Sequence, residues 1–156
     1  MEIACIESPL GIIKITGDEN GISTISVITD SSITSTIPEQ LQECAFQLRE
    51  YFDGKRNHFN FKFNPQGTEF QQKVWQELVK IPFGKTISYM DLSKQLGDVK
   101  AIRAVASANG KNPLWIVIPC HRVIGTDGSL TGYAGGLWRK KWLLEHENPS
   151  QQQLLF

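Results

Sequence analysis

The chain has 156 residues, of which 40% are hydrophobic, and its 16 basic and 16 acidic residues balance at neutral pH. Its three cysteines form no Cys-x-x-Cys pair, which argues against a disulfide scaffold and a ribbon-type zinc site. No apolar run approaches the roughly 20 residues that span a bilayer, and Met1-Glu2 lacks the basic start of a secretory signal. We therefore expect a cytoplasmic protein.

The balanced charge conceals an asymmetry between two parts of the chain. Residues 1–64 carry 5 Lys/Arg and 9 Asp/Glu, a net charge of −4, whereas residues 65–156 carry 11 and 7, a net charge of +4. The turn signal Asn64-Pro65-Gln66-Gly67 lies at the change. We therefore predict a domain at 1–64, a second at 65–147 and a flexible tail at 148–156. The basic surplus favours a polyanionic partner for the second domain.

Residues 1–64 are predicted to form a small sheet and one helix. Segments rich in isoleucine and threonine, which are typical of strands, cover residues 2–7, 11–16 and 21–29, and Asn20-Gly21 is a hairpin signal. A helix is expected from Pro38 to about Phe52. Alternating phenylalanines indicate a half-buried strand over residues 59–63. This part carries no chemical constellation, so we expect it to be structural.

Residues 65–156 are predicted to be mostly helical. The capping box Thr68-Glu69-Phe70-Gln71 opens a helix to about Ile81, which Pro82-Phe83-Gly84 ends. Ser88 caps a short helix that Gly97 stops, and another helix follows over residues 100–109. Two short helices joined by a glycine turn are typical of a helix-turn-helix, whose second helix docks on DNA.

That second helix has an unusual composition for a reader of base edges. Arg103 stands among alanines, serine and glycine, whereas a major-groove reader offers several long polar side chains. Small residues permit the close approach that the minor groove requires, and a lone arginine on such a helix can occupy the space of a displaced base. An alanine-rich packing helix with Arg103 on a solvated edge explains the same pattern, and composition alone leaves both interpretations open.

A cysteine follows a short apolar run in the segment Leu114-Trp115-Ile116-Val117-Ile118-Pro119-Cys120-His121-Arg122. Residues 114–118 read as a buried strand that Pro119 ends, which puts Cys120 at a strand end. The thiolate is the reactive form of cysteine, and His121 and Arg122 place a base and a fixed charge beside it. A buried packing cysteine is the equally weighted alternative.

These residues resemble one known family. Pro119-Cys120-His121-Arg122-Val123, preceded by Asn112-Pro113 and followed by Gly132-Tyr133-Ala134-Gly135-Gly136, is similar to the methylated-DNA–protein-cysteine methyltransferases. Further matches are Ile87-Ser88-Tyr89, Arg103-Ala104-Val105 and residues 139–147. The resemblance implies an α+β fold with two subdomains. The first is a ribonuclease H-like antiparallel sheet with one helix, and the second is mostly helical, with a helix-turn-helix and a short sheet carrying the cysteine.

The resemblance implies direct reversal of DNA damage. Cys120 would take a methyl or small alkyl group from O6 of guanine, and less well from O4 of thymine, in one irreversible turnover without a cofactor. His121 would be the base through a bound water, and Glu147 would orient its imidazole. Tyr89 would donate a proton as guanine leaves and would lie beside the flipped nucleotide's phosphate. Asn112 would tie the helix pair to the cysteine strand.

The resemblance also implies how duplex DNA containing O6-alkylguanine is bound. Because the alkylated oxygen lies inside the duplex, the base must be flipped out, and Arg103 would fill the gap. The minor-groove contact would be lined by Ala101, Ala104 and Ala108. The alkyl pocket would be formed by Tyr133, Ala134, Gly135 and Val123, with Trp115 near its rim. The polar bend Asn109-Gly110-Lys111 replaces the apolar pocket residues of some relatives. Because Cys5 is the only candidate for a zinc set found in some eukaryotic relatives, we expect no metal.

Other classes of protein remain as alternatives. A non-catalytic binder of alkylated bases is the principal one, although it would carry tryptophan in place of Cys120. A helix-turn-helix regulator would not need Cys120, His121 and Glu147. A Cys–His hydrolase would normally place its histidine far from the nucleophile in sequence. We expect a stand-alone, monomeric repair protein that associates with the nucleoid when bound to DNA.

The tail ends on three apolar residues after a polar stretch. Gln152, Leu154, Leu155 and Phe156 resemble the short peptide by which bacterial repair proteins dock on the sliding clamp. Burial of the apolar side chains would supply roughly 1.5–3 kcal/mol each before ordering costs. A tail that folds back on its own domain is the alternative.

Overall fold

The computed structural model describes residues 1–29, 32–130, 133 and 136–149. It divides the chain into two compact units. The first comprises Met1–Gln66 and Pro113–Val117, and the second comprises Gly67–Asn112 and the chain from Ile118 onward. Within the described ranges, no helix is both long enough and apolar enough to cross a membrane.

The first unit is built on an antiparallel three-stranded sheet and one helix. Strands β1 (Glu2–Ser8), β2 (Gly11–Asp18) and β3 (Gly21–Ile28) pair in chain order. Gly21, in the second hairpin, has a φ of 125° that a side chain would strain. Helix α1 (Glu39–Phe52) buries one face, including Leu41 and Leu48. The three strands and the helix predicted from sequence are confirmed.

Two strands predicted from sequence are absent from the described chain. Only Phe63 of residues 59–63 makes a bridge, a parallel one to Ile22, and the phenylalanine rings pack on one another at centroid distances of 5.0–6.1 Å. Of residues 114–118, only Leu114 makes a bridge, to Ile25, and the next residues form turns. The alternating and the continuous apolar patterns correctly predicted which side chains are buried or half-buried. A side chain can be buried without its backbone pairing in a sheet, so the patterns did not establish strands.

The second unit is helical around a two-stranded parallel sheet. Its helices are α2 (Glu69–Leu78), α3 (Tyr89–Gln95), α4 (Ile102–Gly110) and α5 (Leu137–Glu147). The strands β4 (Ile87–Ser88) and β5 (Val123–Ile124) pair in parallel. The predicted capping box of α2 is present, since the Thr68 hydroxyl accepts the Gln71 N–H at 3.1 Å and the Gln71 side-chain oxygen accepts the Thr68 N–H at 2.9 Å.

Helices α3 and α4 form the predicted helix-turn-helix. Gly97 follows α3 with a φ of 92°, and a 3₁₀ turn at Val99–Ala101 leads into α4. Helix α4 is fixed to α2 by the buried Trp75 indole, which donates to the Ala108 carbonyl at 2.9 Å. Together, the antiparallel sheet of the first unit and the helical second unit confirm the predicted α+β class.

Candidate active site

Cys120 lies in a tight bend rather than at the end of a strand. It begins the 3₁₀ turn Cys120–Arg122, which leads directly into β5. The Ile118 carbonyl accepts the Cys120 N–H at 2.8 Å and the Asn112 side-chain amide at 2.6 Å. Asn112 therefore fastens the end of the helix pair to the cysteine turn, and Cys120 is only 6% exposed.

The surroundings of Cys120 act on its thiol in opposite directions. Burial raises the pKa of Cys120 because a thiolate loses the solvation that water gives it. Hydrogen bonds from the side chains of Asn112 and Tyr133 and the positive charge of Lys140 lower that pKa in part. At neutral pH the resting group is a thiol, and three polar neighbours stabilise the thiolate once it forms.

His121, Glu147 and Arg122 form one buried polar cluster. The His121 imidazole donates through Nε2 to Oε2 of Glu147 at 2.7 Å. Arg122 donates through Nε to Oε1 at 2.7 Å, through Nη2 to Oε2 at 3.0 Å and through Nη1 to the Ile81 carbonyl at 2.7 Å. The carboxylate is thus held at both oxygens, and it fixes the tautomer of His121 that carries its proton on Nε2.

This cluster keeps the imidazole neutral and the carboxylate charged. Burial lowers the pKa of His121, and the Glu147 charge offsets this only in part. Burial alone would raise the pKa of Glu147, but the charges and hydrogen bonds of His121 and Arg122 hold it well below its usual range. The buried Nδ1 of His121 has no hydrogen-bond partner among the described residues. That nitrogen carries a lone pair and can accept a proton.

Lys140 is a buried cation beside the cysteine. It is fully buried, and its ammonium donates to the Val123 carbonyl at 2.6 Å. The ammonium lies 5.9 Å from the ring centroid of Tyr89 and 5.8 Å from that of Tyr133, within the range of cation–π attraction. Burial lowers the pKa of Lys140 to about 8, although the Cys120 charge opposes this shift.

Tyr89 is the first residue of α3, and its hydroxyl is hydrogen-bonded to the side-chain amide of Asn109. Its side chain is 8% exposed, and its hydroxyl oxygen accepts a hydrogen bond from the Asn109 side chain at 3.2 Å. The same amide lies 3.4 Å from the Cys120 carbonyl. Tyr89 and Cys120, which are 31 positions apart in the sequence, are therefore linked through one side chain.

The predicted pocket residues are only partly described. Tyr133 is half-buried, next to Cys120, and Val123 is fully buried in β5. Trp115 belongs to the first unit, where its backbone N–H donates to the Ile25 carbonyl at 3.1 Å. Ala134 and Gly135 lie outside the described residues.

Helix α4 exposes part of the predicted DNA-contact set. Arg103 and Ala104 are exposed, and Ala101 is half-buried at the start of the helix. Ala108, by contrast, is 3% exposed on the inner face, where its carbonyl accepts the Trp75 hydrogen bond. This position argues against a direct DNA contact by the Ala108 side chain. Exposed Lys100 lies on the turn that precedes the helix.

Lys140 and Asn109 are buried polar residues near Cys120, and neither was among the predicted site residues. Lys140, Leu143, Leu144 and Glu147 are the buried positions of α5. Their spacing marks one helix face, so the pattern would have placed Lys140 in the interior. The sequence marks Asn109 only as part of a polar bend, and no local pattern reveals its contacts with Tyr89 and Cys120.

The sequence matches two family models that together cover most of the chain. The model for the 6-O-methylguanine DNA methyltransferase ribonuclease-like domain matches residues 1–65. The model for the DNA binding domain of the same family matches residues 69–149. The Methanosarcina acetivorans methylated-DNA–protein-cysteine methyltransferase is 43% identical over 155 residues, covering 94% of this chain and 98% of that protein. The chain belongs to the 6-O-methylguanine DNA methyltransferase family.

Solved structures agree with this assignment. The crystal structure of the Mycobacterium tuberculosis O6-methylguanine methyltransferase has a TM-score of 0.85 and 38% identity, and the match covers 95% of this chain and 93% of that chain. Mycobacterium tuberculosis OGT in complex with DNA has a TM-score of 0.86 and 40% identity, and covers 96% and 94%. The family resemblance predicted from the cysteine motif is therefore confirmed.

Proposed function

We propose that this protein repairs alkylated DNA by irreversible transfer of a methyl or small alkyl group from O6 of guanine to the sulfur of Cys120. The O4 position of thymine is a poorer substrate. The observation that carries the proposal is the buried Cys120 beside the His121–Glu147 pair, in a chain of the 6-O-methylguanine DNA methyltransferase family. Each molecule reacts once, because the product is a stable thioether and the site offers no nucleophile that would remove the alkyl group and restore the thiol.

The proton of Cys120 moves first, through a water molecule, to Nδ1 of His121. The Nε2–H of His121 stays hydrogen-bonded to Glu147, whose negative charge stabilises the imidazolium that forms. Arg122 holds Glu147 in place by two hydrogen bonds. The cluster is thus a base with a fixed orientation, used for a single proton transfer.

The sulfur then attacks the alkyl carbon in line with the carbon–oxygen bond. The sulfur–carbon bond forms as the carbon–oxygen bond breaks, and the electron pair leaves with guanine. Tyr89 donates a proton to the departing base, and the tyrosinate then regains a proton from solvent as His121 releases the one that it took from Cys120. Lys140 and the side chains of Asn112 and Tyr133 stabilise the thiolate before the attack, as their effect on the pKa of Cys120 indicates. Tyr133 and Val123 contribute to the pocket for the alkyl group, to which the sequence also assigns Ala134 and Gly135.

DNA is bound through the second helix of the helix-turn-helix. Arg103 and Ala104 are exposed on α4, and the short side chains let the helix approach the minor groove closely. The target nucleotide is flipped out at a cost of a few kcal/mol, and Arg103 occupies the space it leaves. Ala101 lines the contact at the start of the helix. In this scheme residues 65–147 bind DNA and carry the acceptor, and residues 1–64 are structural.

Intact-protein mass spectrometry tests the proposal. Duplex DNA with one O6-methylguanine should add one methyl group to the wild-type protein in exchange for one hydrogen, and peptide mapping should locate it on Cys120. Cys120→Ala should retain binding to the lesion and gain no mass. Cys44→Ala, at a buried cysteine of the first unit, is the matched control and should react like wild type. Binding without a mass change in the wild type would instead identify a lesion-binding protein.

The tail is a second element of the proposed function. Residues 150–156 lie outside the described residues, so docking on a sliding clamp through Gln152, Leu154, Leu155 and Phe156 rests on sequence alone. Deletion of residues 152–156 should abolish clamp binding and leave transfer from short DNA unchanged. Clamp binding by the truncated protein would contradict the proposed docking of the tail. We further propose that the protein acts as a monomer in the cytoplasm, on the nucleoid, where its DNA substrate lies and where a reducing environment preserves the Cys120 thiol.

A further inference from the structure

Asn109 is a buried polar residue near Cys120 to which the proposed mechanism assigns no role. It lies in the last turn of α4 and is only 2% exposed. Its Nδ2 atom is 3.2 Å from the Tyr89 hydroxyl oxygen and 3.4 Å from the Cys120 carbonyl oxygen. One amide group therefore contacts the proposed proton donor and the backbone of the proposed nucleophile.

The identity of the two contacts fixes the orientation of this amide. A backbone carbonyl accepts hydrogen bonds and cannot donate them. The amide atom that faces the Cys120 carbonyl must therefore be the NH₂ nitrogen, because a rotated amide would place two acceptor oxygens against each other. The same nitrogen faces Tyr89, so Asn109 is the donor in that contact and the phenol oxygen is the acceptor.

We infer that Asn109 is a positioning residue that presents Tyr89 as a proton donor to the departing guanine and links that donor to the turn bearing Cys120. Since the Tyr89 oxygen accepts from Asn109, the phenol hydrogen is turned away from Asn109. The inference rests on the proposed function, in which Tyr89 gives a proton to the leaving base.

Stability alone does not favour an asparagine at this position. The Oδ1 atom of Asn109 is buried and has no hydrogen-bond partner among the described residues. An unsatisfied buried acceptor carries a desolvation cost that an apolar side chain of the same size avoids. The hydrogen bonds that the NH₂ group makes to Tyr89 and to Cys120 therefore explain the asparagine better than packing does.

A double-mutant cycle with Tyr89 tests the inference. Single-turnover transfer from duplex DNA with one O6-methylguanine is measured for Asn109→Leu, in the wild-type background and in the Tyr89→Phe background. Asn109→Leu should slow the rate at saturating DNA by about fivefold in the first background, the effect of one hydrogen bond. It should change the rate less than twofold in the second, because the phenylalanine ring has no hydroxyl to position. The DNA concentration at half-saturation should stay unchanged.

Ser93→Ala is the matched control, because Ser93 donates to the backbone carbonyl of Tyr89 at 2.9 Å rather than to its hydroxyl. This variant should change the rate by the same factor in both backgrounds. If Asn109→Leu proves unfolded by circular dichroism, Asn109→Ser removes the same contact with a smaller side chain, and its cycle decides.

An equal loss in both backgrounds, no loss in either, or a change confined to half-saturation would overturn the role of Asn109. If the wild-type protein transfers no alkyl group, the proposed function fails, and the role of Asn109 fails with it. Transfer by the wild type combined with a flat cycle removes only the inference about Asn109.

Discussion

Arg122 and Glu147 form a bidentate ion pair in the interior of the second unit, with Nε 2.7 Å from Oε1 and Nη2 3.0 Å from Oε2. The Oε2 atom also accepts the His121 hydrogen bond at 2.7 Å. One carboxylate thus serves both the stability of the unit and the orientation of the base. Loss of either partner leaves a charge buried without its counter-ion.

Arg122→Met should therefore reduce the free energy of unfolding by about 3–5 kcal/mol, because Glu147 would keep a buried charge and lose its main partner. Urea unfolding at neutral pH measures this loss. Arg56→Met is the control, since the more exposed Arg56–Glu50 pair, 2.9 Å apart, should contribute no more than about 1 kcal/mol. Equal losses for the two variants would contradict the stabilising role of the buried pair.

The rate of transfer should fall on the acid side only below pH 6.5. Burial depresses the pKa of His121 below its ordinary value of 6.5, so the neutral base persists at neutral pH and is protonated only as the pH falls further. Single-turnover rates with the free modified base, measured across pH 5–8, should be level above 6.5 and fall below it. His121→Gln should be slower and should lack this fall. A fall in rate centred above pH 6.5 would show that burial does not lower the pKa of His121, and it would contradict this prediction.

Lys140→Gln should slow transfer at neutral pH by roughly tenfold, because loss of the nearby cation removes electrostatic stabilisation of the thiolate and raises the pKa of Cys120 further. Glutamine retains a donor for the Val123 carbonyl. Since the pKa of Lys140 is about 8, the wild type loses this charge above that pH, and the two rates should converge there.

Reaction with the free base separates this effect of Lys140 from any effect on DNA binding. The neighbouring exposed residue provides the control, Lys141→Gln, which should leave the rate unchanged. A constant ratio between Lys140→Gln and wild type from pH 6 to pH 10 would refute the electrostatic role.

Arg103→Ala should impair repair in duplex DNA by roughly tenfold or more and leave reaction with the free base unchanged, because only the duplex has a gap to fill. The rate at saturating DNA is the relevant quantity. Lys100→Ala removes a neighbouring exposed charge and should weaken binding in a salt-dependent way without lowering that rate. Equal losses on both substrates would indicate that Arg103 supports the fold.

Local physical chemistry made the regular elements predictable. The hairpin at Gly21 and the capping box at Thr68 depend on neighbouring residues alone, and both are present. The strands expected over residues 59–63 and 114–118 failed for a common reason. An alternating or continuous apolar pattern reports which side chains are buried, whereas a strand also needs a backbone partner from elsewhere in the chain. The phenylalanine rings of residues 59–63 are half-buried because they pack on one another.

The sequence by itself determined the family, because the motif around Cys120 is specific. It also named Cys120, His121 and Glu147 as site residues, but it did not single out Lys140 or Asn109. Tertiary structure decided their relations. The partnership of Glu147 with both His121 and Arg122 joins residues 25 and 26 positions apart. The burial of Lys140 and the contact of Asn109 with Tyr89 likewise arise only when separate helices and turns pack together. Charge, burial and hydrogen-bond direction are properties of that packing, so no local pattern encodes them.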